Sequence, residues 1–344
     1  MENKITTSLA SQLRQDPISG KWVVIATARG KRPDTFAAKQ EIFEQSFSDC
    51  PFERPFDQEH PPLLRYDRVA ADGIPDWALV VIPNKFPAFT KGVCNVSYTE
   101  GPYTFTNASG FHELFILRDH ARFIPDLTVQ EVSQLMKAYV ERYRFISAQE
   151  CINYVLVFHN HKHEAGASIS HPHSQLIATS VIPPDVYASS ETAQKHFEEQ
   201  GSCIYCRVIE YEIQAQKRII YENEKFVVLA PFASRIPFEL RVYPKTHQCS
   251  FGMLDDADTP LAAAALQAAL QSLRIALGDP AYNFFIHSTP SHVDAKHYHW
   301  HLEIIPKTAI WAGFEISTGM YISSLAPEDA AAFLKEALES KNQI

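Results

Sequence analysis

Ser170-His171-Pro172-His173-Ser174-Gln175 is the segment from which the organisation of this chain can be worked out. Side chains two positions apart on an extended strand point to the same face, so His171, His173 and Gln175 are predicted to form a row. Pro172 lacks a backbone donor, which favours the edge or the beginning of a strand, where a substrate can approach. The pattern favours phosphoryl chemistry. The alternative is a polar strand edge whose histidines are satisfied by their neighbours.

Size and charge limit the class of protein. The chain has 344 residues, 46% of them apolar, which is enough for about two domains. A net charge of −9 gives no electrostatic footprint for nucleic acid. The sequence predicts no membrane span, and its N-terminus lacks the apolar region of a signal peptide. We therefore expect no nucleic-acid or membrane partner and a cytoplasmic location.

The order of predicted elements occurs twice. The first half gives strands at 77–82 and 114–117, a helix at 126–149, and strands at 154–159 and 175–182. The second half gives strands at 226–230 and 239–243, a helix at 259–277, and strands at 282–287 and 298–305. His120 and His171 are 51 positions apart, and His247 and His299 are 52 apart. The chain is therefore predicted to be a duplication of one strand-strand-helix-strand-strand unit.

Each half also offers a set of metal ligands. Aligning the halves places Cys50-Pro51-Phe52-Glu53 against Cys203-Ile204-Tyr205-Cys206. Two thiolates and two imidazoles suit a closed tetrahedral zinc site that clamps a knuckle to a sheet. In the first half Glu53 stands in place of the second cysteine, so it is either a carboxylate ligand or a surface charge that pairs with Arg54. The predicted zinc ligands are Cys50, Glu53, His120 and His171 in the first half and Cys203, Cys206, His247 and His299 in the second.

With these features the chain resembles the galactose-1-phosphate uridylyltransferases of the histidine-triad superfamily over nearly its whole length. The segments that carry the resemblance are Asp16-Pro17-Ile18-Ser19-Gly20-Lys21-Trp22-Val23 with Arg29-Gly30-Lys31-Arg32-Pro33, Cys50-Pro51-Phe52, Pro83-Asn84-Lys85-Phe86-Pro87, the segment 171–175, and His299-Trp300-His301 through Gly313-Phe314-Glu315. The resemblance implies an α+β fold of two tandem histidine-triad-like domains, residues 1–195 and 196–344. Each domain would have an antiparallel sheet with helices packed on it.

The resemblance further implies a covalent mechanism. His173 would attack the α-phosphorus of a UDP-hexose and hold UMP until a hexose 1-phosphate accepts it, as in the exchange between UDP-glucose and galactose 1-phosphate. Gln175 would donate an amide proton to the transferring phosphoryl group. The second ring nitrogen of His173 needs an acceptor, and a nearby backbone carbonyl is expected.

The same resemblance implies substrate contacts, zinc as the metal and a homodimer. The implied substrate-binding residues are Arg29, Arg32, Asn84, Lys85, Phe86, Asn160, Ser168, Phe314 and Glu315. Lys85 stands where some members carry aspartate. His301 and Glu303, which correspond to His173 and Gln175 in the second half, are interpreted as structural.

Two other functions stay open. In a nucleoside-diphosphosugar phosphorylase of the ADP-glucose phosphorylase kind, inorganic phosphate would discharge the nucleotidyl-histidine. The chain resembles that group as well, including the segment Gly313-Phe314-Glu315-Ile316-Ser317-Thr318-Gly319. A non-catalytic, zinc-stabilised nucleotide-binding module is the second alternative, and the presence of both His173 and Gln175 argues against it.

Overall fold

The computed structural model describes residues 11–31, 46–56, 61–69, 75–92, 96–293 and 295–341. Within these ranges the strands are β1 (Gln12–Gln15), β2 (Trp22–Ile25), β3 (Leu64–Val69), β4 (Pro75–Pro83), β5 (Ser97–Glu100), β6 (Tyr103–Thr106), β7 (Gly110–Leu117), β8 (Tyr154–His161), β9 (His173–Thr179), β10 (Ile219–Glu222), β11 (Phe226–Leu229), β12 (Leu240–Pro244), β13 (Tyr282–His287), β14 (His301–Pro306) and β15 (Tyr321–Ser323). The helices are α1 (Val129–Ser147), α2 (Pro184–Gln200), α3 (Ile204–Ala215), α4 (Thr259–Leu277), α5 (Gly313–Thr318) and α6 (Pro327–Lys341).

Ten strands form one antiparallel sheet in the order β10-β11-β12-β14-β13-β8-β9-β7-β4-β3. The five strands on one side of the β13–β8 junction come from the C-terminal half of the chain, and the other five come from the N-terminal half. Outward from the junction, β8-β9-β7-β4 repeats the arrangement of β13-β14-β12-β11. The α+β class and the repeated order of elements are therefore confirmed.

Helices α1 and α4 pack against each other on one face of this sheet. Thr128 begins α1 with a capping box, in which its hydroxyl accepts from the Glu131 backbone and the Glu131 carboxylate accepts from the Thr128 N–H. The main apolar core lies between these helices and the sheet. The segment Asp256–Leu277 is long and apolar enough to span a membrane, but 56% of its most apolar 18-residue stretch is buried inside the protein, as in an ordinary core helix.

A smaller sheet joins the two ends of the described chain. Its order is β1-β2-β15, and β2 pairs in parallel with β15. The turn after β1 is anchored on the large sheet because the buried Asp16 carboxylate accepts a hydrogen bond from Arg241, at 3.1 Å. The N-terminal segment thus lies on the sheet face opposite to α1 and α4, over the C-terminal half.

The predicted element bounds differ from the observed ones by up to four residues, and the largest difference is at β7, which begins at Gly110. Strand β9 begins at His173 and ends at Thr179, and β14 begins at His301, so His171 and His299 lie just before their strands. Both of these rings bond to backbone carbonyls at the ends of neighbouring strands, which holds them out of the ladder. The predicted domain boundary at 195/196 falls within α2, and this division stays a prediction.

Candidate active site and metal centres

A row of polar side chains crosses the face of the sheet that does not carry α1 and α4. His173 and Gln175 lie two apart on β9 and so share a face. His159 pairs with Ser174, so Asn160 of β8 neighbours His173 at the next position. On β7, Leu114 pairs with Gln175, which places His112, two residues earlier, on the same face. The sheet register therefore brings together residues that are far apart in sequence.

The imidazole ring of His173, the predicted nucleophile, is held by a hydrogen bond to the backbone two residues earlier. His173 Nδ1 lies 2.9 Å from the carbonyl oxygen of His171. A carbonyl can only accept, so Nδ1 carries the proton and Nε2 keeps a lone pair. Burial lowers the pKa of His173, whose residue surface is 7% exposed, so the imidazole is neutral at pH 7. A neutral imidazole held in this tautomer is suited to nucleophilic attack through Nε2.

Gln175 has a partner that the sequence analysis did not identify. His112 Nε2 lies 2.9 Å from Gln175 Oε1, and His112 Nδ1 accepts a hydrogen bond of 3.2 Å from the backbone N–H of Ala88. In the sequence His112 stands just before the predicted strand at 114–117, and no local pattern links it to Gln175. Its proximity to Gln175 follows from the β7–β9 register, which the sequence did not specify.

The predicted substrate-binding residues Asn84, Lys85 and Phe86 lie in a turn against His112. The Asn84 N–H donates to the carbonyl oxygen of His112 at 2.9 Å, and the Phe86 N–H donates to Asn84 Oδ1 at 2.9 Å. Lys85 is exposed, and the Phe86 side chain is 82% exposed. The turn therefore connects to the polar row through Asn84, while Lys85 and Phe86 are available to a ligand.

Asn160 is held by a residue of the C-terminal half. Asn283 pairs directly with Asn160 across the β8–β13 junction, and its Nδ2 lies 2.7 Å from Asn160 Oδ1 and 2.7 Å from the carbonyl oxygen of Ala165. The loop from β8 to the histidine motif then runs over Gly166, whose φ is +90°. Ser168 is exposed in this loop. Asn160 thus neighbours His173 with a fixed orientation, and a substrate contact by Ser168 stays a prediction.

The first metal cluster joins the turn Pro51–Glu53 to the sheet. Cys50 Sγ lies 3.6 Å from His171 Nδ1, and that nitrogen lies 3.2 Å from His120 Nδ1. Glu53 Oε1 lies 2.9 Å from His120 Nδ1 and 3.2 Å from His171 Nδ1. His171 Nε2 donates to the carbonyl oxygen of Leu117 at 2.6 Å, so its Nδ1 offers a lone pair to the cluster.

These separations fit a zinc ion. Tetrahedral zinc with thiolate and imidazole ligands sets ligand atoms about 3.3–3.6 Å apart. The ligand atoms of Cys50, His120 and His171 lie within 4.8 Å of one another. Glu53 approaches both imidazoles, but its other oxygen pairs with Arg118 at 3.0 Å. The alternative pairing of Glu53 with Arg54 is not what the structure shows, and its role as a ligand stays a prediction.

The second metal cluster has all four predicted ligands in place. The ligand atoms of Cys203, Cys206, His247 and His299 lie within 4.8 Å of one another. Cys206 Sγ is 3.3 Å from His247 Nδ1 and 3.6 Å from His299 Nδ1. A hydrogen bond with Cys206 and the nearby His299 lower the pKa of Cys203 to about 4, which favours a thiolate. His299 Nε2 donates to the carbonyl oxygen of Pro244, repeating the arrangement of His171.

In the C-terminal half, His301 is equivalent to His173, and charged side chains occupy the space beside it. His301 Nδ1 lies 3.1 Å from the carbonyl oxygen of His299, as in the first half. Glu303, which replaces the glutamine, pairs with Arg235 at 2.6 Å and with Arg241 at 3.1 Å. Burial lowers the pKa of His301 to about 4. This arrangement supports a structural role for His301 and Glu303.

Three predicted substrate residues lie on or beside the small sheet. Arg29 is exposed in a 3-10 helix that follows β2. Phe314 and Glu315 lie in α5, which packs on β15, and the Glu315 carboxylate accepts the Ala312 N–H at 3.0 Å. In the described part of the chain, no hydrogen bond connects these three to the polar row. Arg32 lies outside the described residues.

Family models match both ends of the chain. Residues 2–183 match the model of the N-terminal domain of galactose-1-phosphate uridyl transferase. Residues 117–343 match the model of a domain of unknown function, DUF4921.

Individual proteins are similar over almost the full length. The chain is 36% identical to ADP-glucose phosphorylase from Arabidopsis thaliana, over 94% of this chain and 92% of that protein. It is 26% identical to galactose-1-phosphate uridylyltransferase from Thermotoga maritima, over 94% of this chain and 98% of that protein. The solved structure of Arabidopsis thaliana ADP-glucose phosphorylase with bound ADP-glucose matches with a TM-score of 0.79 and 34% identity, over 95% of this chain and 98% of that one. A solved uridylyltransferase structure matches with a TM-score of 0.74 and 26% identity, over 96% and 99%.

Proposed function

The chain belongs to the galactose-1-phosphate uridylyltransferase family of enzymes, and we propose that it moves a nucleotidyl group from a nucleoside diphosphate sugar through a covalent intermediate on His173. The observation that carries this proposal is the hydrogen bond from His173 Nδ1 to the carbonyl oxygen of His171. It leaves Nε2 as an unprotonated nitrogen in a neutral ring, beside the amides of Gln175 and Asn160.

The proposed reaction has two displacements. In the first, the Nε2 lone pair forms a bond to the α-phosphorus, the bond from that phosphorus to the bridging oxygen breaks, and the electron pair leaves with the sugar 1-phosphate. In the second, an oxygen of the acceptor attacks the same phosphorus, and the P–N electron pair returns to Nε2. The Gln175 amide donates to a phosphoryl oxygen on which charge develops in both steps.

For the donor and acceptor, we favour ADP-glucose and inorganic phosphate. The supporting observation is the similarity to ADP-glucose phosphorylase, which is ten percentage points higher in identity than that to the uridylyltransferase of Thermotoga maritima. Phosphate attack on the adenylyl-histidine would release ADP. This choice reverses the preference of the sequence analysis, in which UMP transfer to a hexose 1-phosphate came first.

Uridylyl transfer from UDP-glucose or UDP-galactose to a hexose 1-phosphate is the second candidate. It is supported by the match of residues 2–183 to the uridyl transferase model. The residues that carry the two displacements are the same in both reactions. The two reactions differ in the base that the protein recognises and in the acceptor that removes the nucleotidyl group from His173.

We further propose that zinc occupies both cysteine-histidine clusters. Bound zinc would supply a structural cross-link between each N-terminal knuckle and the sheet. The first cluster would thereby hold Phe52 against His173, at a centroid distance of 5.0 Å. The homodimer stays a prediction from the resemblance, and the cytoplasmic location stays a prediction from the sequence.

Intact-protein mass spectrometry after incubation with ADP-glucose or UDP-glucose tests the proposal, because the mass of the adduct identifies the base. We expect an adenylyl adduct that peptide mapping places on His173 and that inorganic phosphate removes as ADP. A uridylyl adduct that only galactose 1-phosphate removes would favour the second candidate. Turnover that survives in His173→Gln would contradict the covalent mechanism, and wild-type protein that binds nucleotide without either adduct would favour a non-catalytic module.

A further inference from the structure

Two side-chain amides border the predicted nucleophile, and each could present either its oxygen or its NH₂ group to a ligand. Only the NH₂ group can donate to a phosphoryl oxygen. An amide turned the other way would place a lone pair against the negative charge of the phosphate. The orientation of Gln175 and of Asn160 therefore decides whether this face binds or repels a phosphoryl group.

His112 fixes the orientation of Gln175. The Ala88 backbone N–H can only donate, so His112 Nδ1, 3.2 Å away, must accept. In a neutral imidazole the proton is then on Nε2, which makes Nε2 a donor. The Gln175 atom that lies 2.9 Å from Nε2 must be the carbonyl oxygen. The Gln175 NH₂ group is left free of His112.

Asn84 does not change this assignment. Its Oδ1 accepts the Phe86 N–H, so its NH₂ group is the part that faces the His112 ring. The Asn84 nitrogen lies 3.1 Å from Nε2 and 3.5 Å from Nδ1. Since this NH₂ group can only donate and Nε2 carries a proton, Asn84 and Nε2 make no hydrogen bond to each other. The acceptor on the ring is the Nδ1 lone pair, which Asn84 shares with the Ala88 N–H.

Asn283 fixes the orientation of Asn160 by the same logic. The Ala165 carbonyl oxygen can only accept, so the Asn283 atom that lies 2.7 Å from it must be the nitrogen. The same nitrogen lies 2.7 Å from an oxygen of Asn160 and donates its second hydrogen there. The Asn160 NH₂ group is therefore directed away from Asn283. The fixing residue comes from the C-terminal half, across the β8–β13 junction.

We infer that His112 and Asn283 are positioning residues for nucleotidyl transfer. Each occupies the carbonyl oxygen of one amide, so Gln175 and Asn160 both present NH₂ groups to the phosphoryl group beside His173. This inference rests on the proposed function. In both cases the orientation starts from a backbone group, Ala88 N–H or Ala165 C=O, whose hydrogen-bonding role cannot change.

Two double-mutant cycles test the inference, with the single-turnover rate of nucleotidyl-His173 formation as the readout. The first combines His112→Phe with Gln175→Ala, and the second combines Asn283→Asp with Asn160→Ala. We expect His112→Phe and Asn283→Asp each to slow adduct formation about 10- to 100-fold alone. Each should have almost no further effect once its target amide has been removed. His112→Gln, which restores a donor near the position of Nε2, should recover part of the rate.

The affinity for AMP, measured by calorimetry in the same variants, tests the positioning roles independently of the proposed function. Wild-type protein that forms no adduct with any sugar nucleotide would contradict the proposed function, while the AMP cycles would still test the positioning roles. A His112→Phe effect that is equally large with and without Gln175 would overturn the role of His112. The same result for Asn283→Asp in the Asn160→Ala background would overturn the role of Asn283. Thermal melting of each variant identifies losses that come from unfolding.

Discussion

The Phe52 ring lies edge-on to the His173 imidazole, with ring centroids 5.0 Å apart and an interplanar angle of 67°. Phe52 is buried, and it stands between two predicted metal ligands, Cys50 and Glu53. The turn that carries the first metal cluster therefore also packs against the predicted nucleophile. The tautomer of the His173 ring depends on its hydrogen bond to the His171 carbonyl oxygen. Displacement of Phe52 would therefore disturb the orientation of the predicted nucleophile.

Phe52→Leu should slow adduct formation more than its effect on stability explains. The substitution removes ring atoms from a buried contact and should cost about 1–2 kcal/mol of unfolding free energy. We expect the folded variant to form the nucleotidyl adduct about tenfold more slowly, since His173 gains freedom to rotate. Chemical denaturation and single-turnover labelling give the two quantities. Phe47→Leu is the control, because the Phe47 side chain is 61% exposed and contacts His120 instead. An unchanged labelling rate in Phe52→Leu would show that the contact is only structural.

Glu53→Cys should convert the first cluster into the ligand set of the second. Thiolates are preferred by zinc over carboxylates, so we expect zinc affinity at this site to rise about tenfold. Arg118 would lose one partner but would keep Asp76, at 3.0 Å. Competition with a chelator, followed by zinc counting, measures the change. Cys50→Ser should lower the zinc content by one ion per chain, whereas Cys249→Ser, which lies outside both clusters, should not. Weaker zinc retention in Glu53→Cys would mean that Glu53 is the better ligand in this geometry.

The substitutions His173→Gln and His301→Gln should have different effects, because we expect only the first histidine to be the nucleophile. The two histidines have the same backbone contact, but Glu303 and its arginine partners occupy the space beside His301. We expect His173→Gln to abolish the adduct. His301→Gln should lower the unfolding free energy by about 1 kcal/mol and leave labelling within about threefold of wild type. Loss of labelling in a folded His301→Gln variant would contradict the structural interpretation.

Asp279 should contribute to an acid-sensitive stability. Although burial opposes the charge, the hydrogen bonds and charges of His161 and Lys162 lower the pKa of Asp279 below its usual value. A carboxyl with a lowered folded-state pKa stabilises the protein above its unfolded-state pKa, near 4, and loses that contribution as the pH falls. Denaturant unfolding at several pH values should therefore show stability falling below about pH 4. Asp279→Asn should be less stable than wild type at pH 7 and should show a shallower fall in acid. Equal slopes in the two proteins would exclude Asp279 as the source.

The sequence predicted the elements and the motifs well where local pattern determines them. Helix α4 has the predicted bounds because its apolar residues, its proline near the start and its glycine after the end all agree. The four ligands of the second metal cluster could be predicted because the two halves have nearly equal spacings between histidines, 51 and 52 positions. Gln175 and His173 could be placed on one face because strand periodicity requires it.

His112 and Asn283 could not be predicted by these means. Their contacts span 63 and 123 positions along the chain, so they depend on the register between strands and not on any local pattern. The same holds for Phe52, whose contact with His173 needs the turn Pro51–Glu53 to fold back on the sheet. The burial of Glu303 beside Arg241 and Arg235 could not be predicted either, because these arginines come from a different strand and from the loop before it.

The β8–β13 junction makes the two halves of the chain dependent on each other. Strand β8 carries Asn160 next to His173, and the residue that orients Asn160 belongs to the half without a predicted nucleophile. After a duplication, the C-terminal half could therefore lose its own chemistry and still be retained, because it supplies both a neighbouring strand and a hydrogen-bond donor. Removing it would leave β8 with unpaired backbone groups along one side, a surface on which other chains could assemble. The half that carries the predicted nucleophile is thus not a separable module, and its geometry depends on residues of the other half.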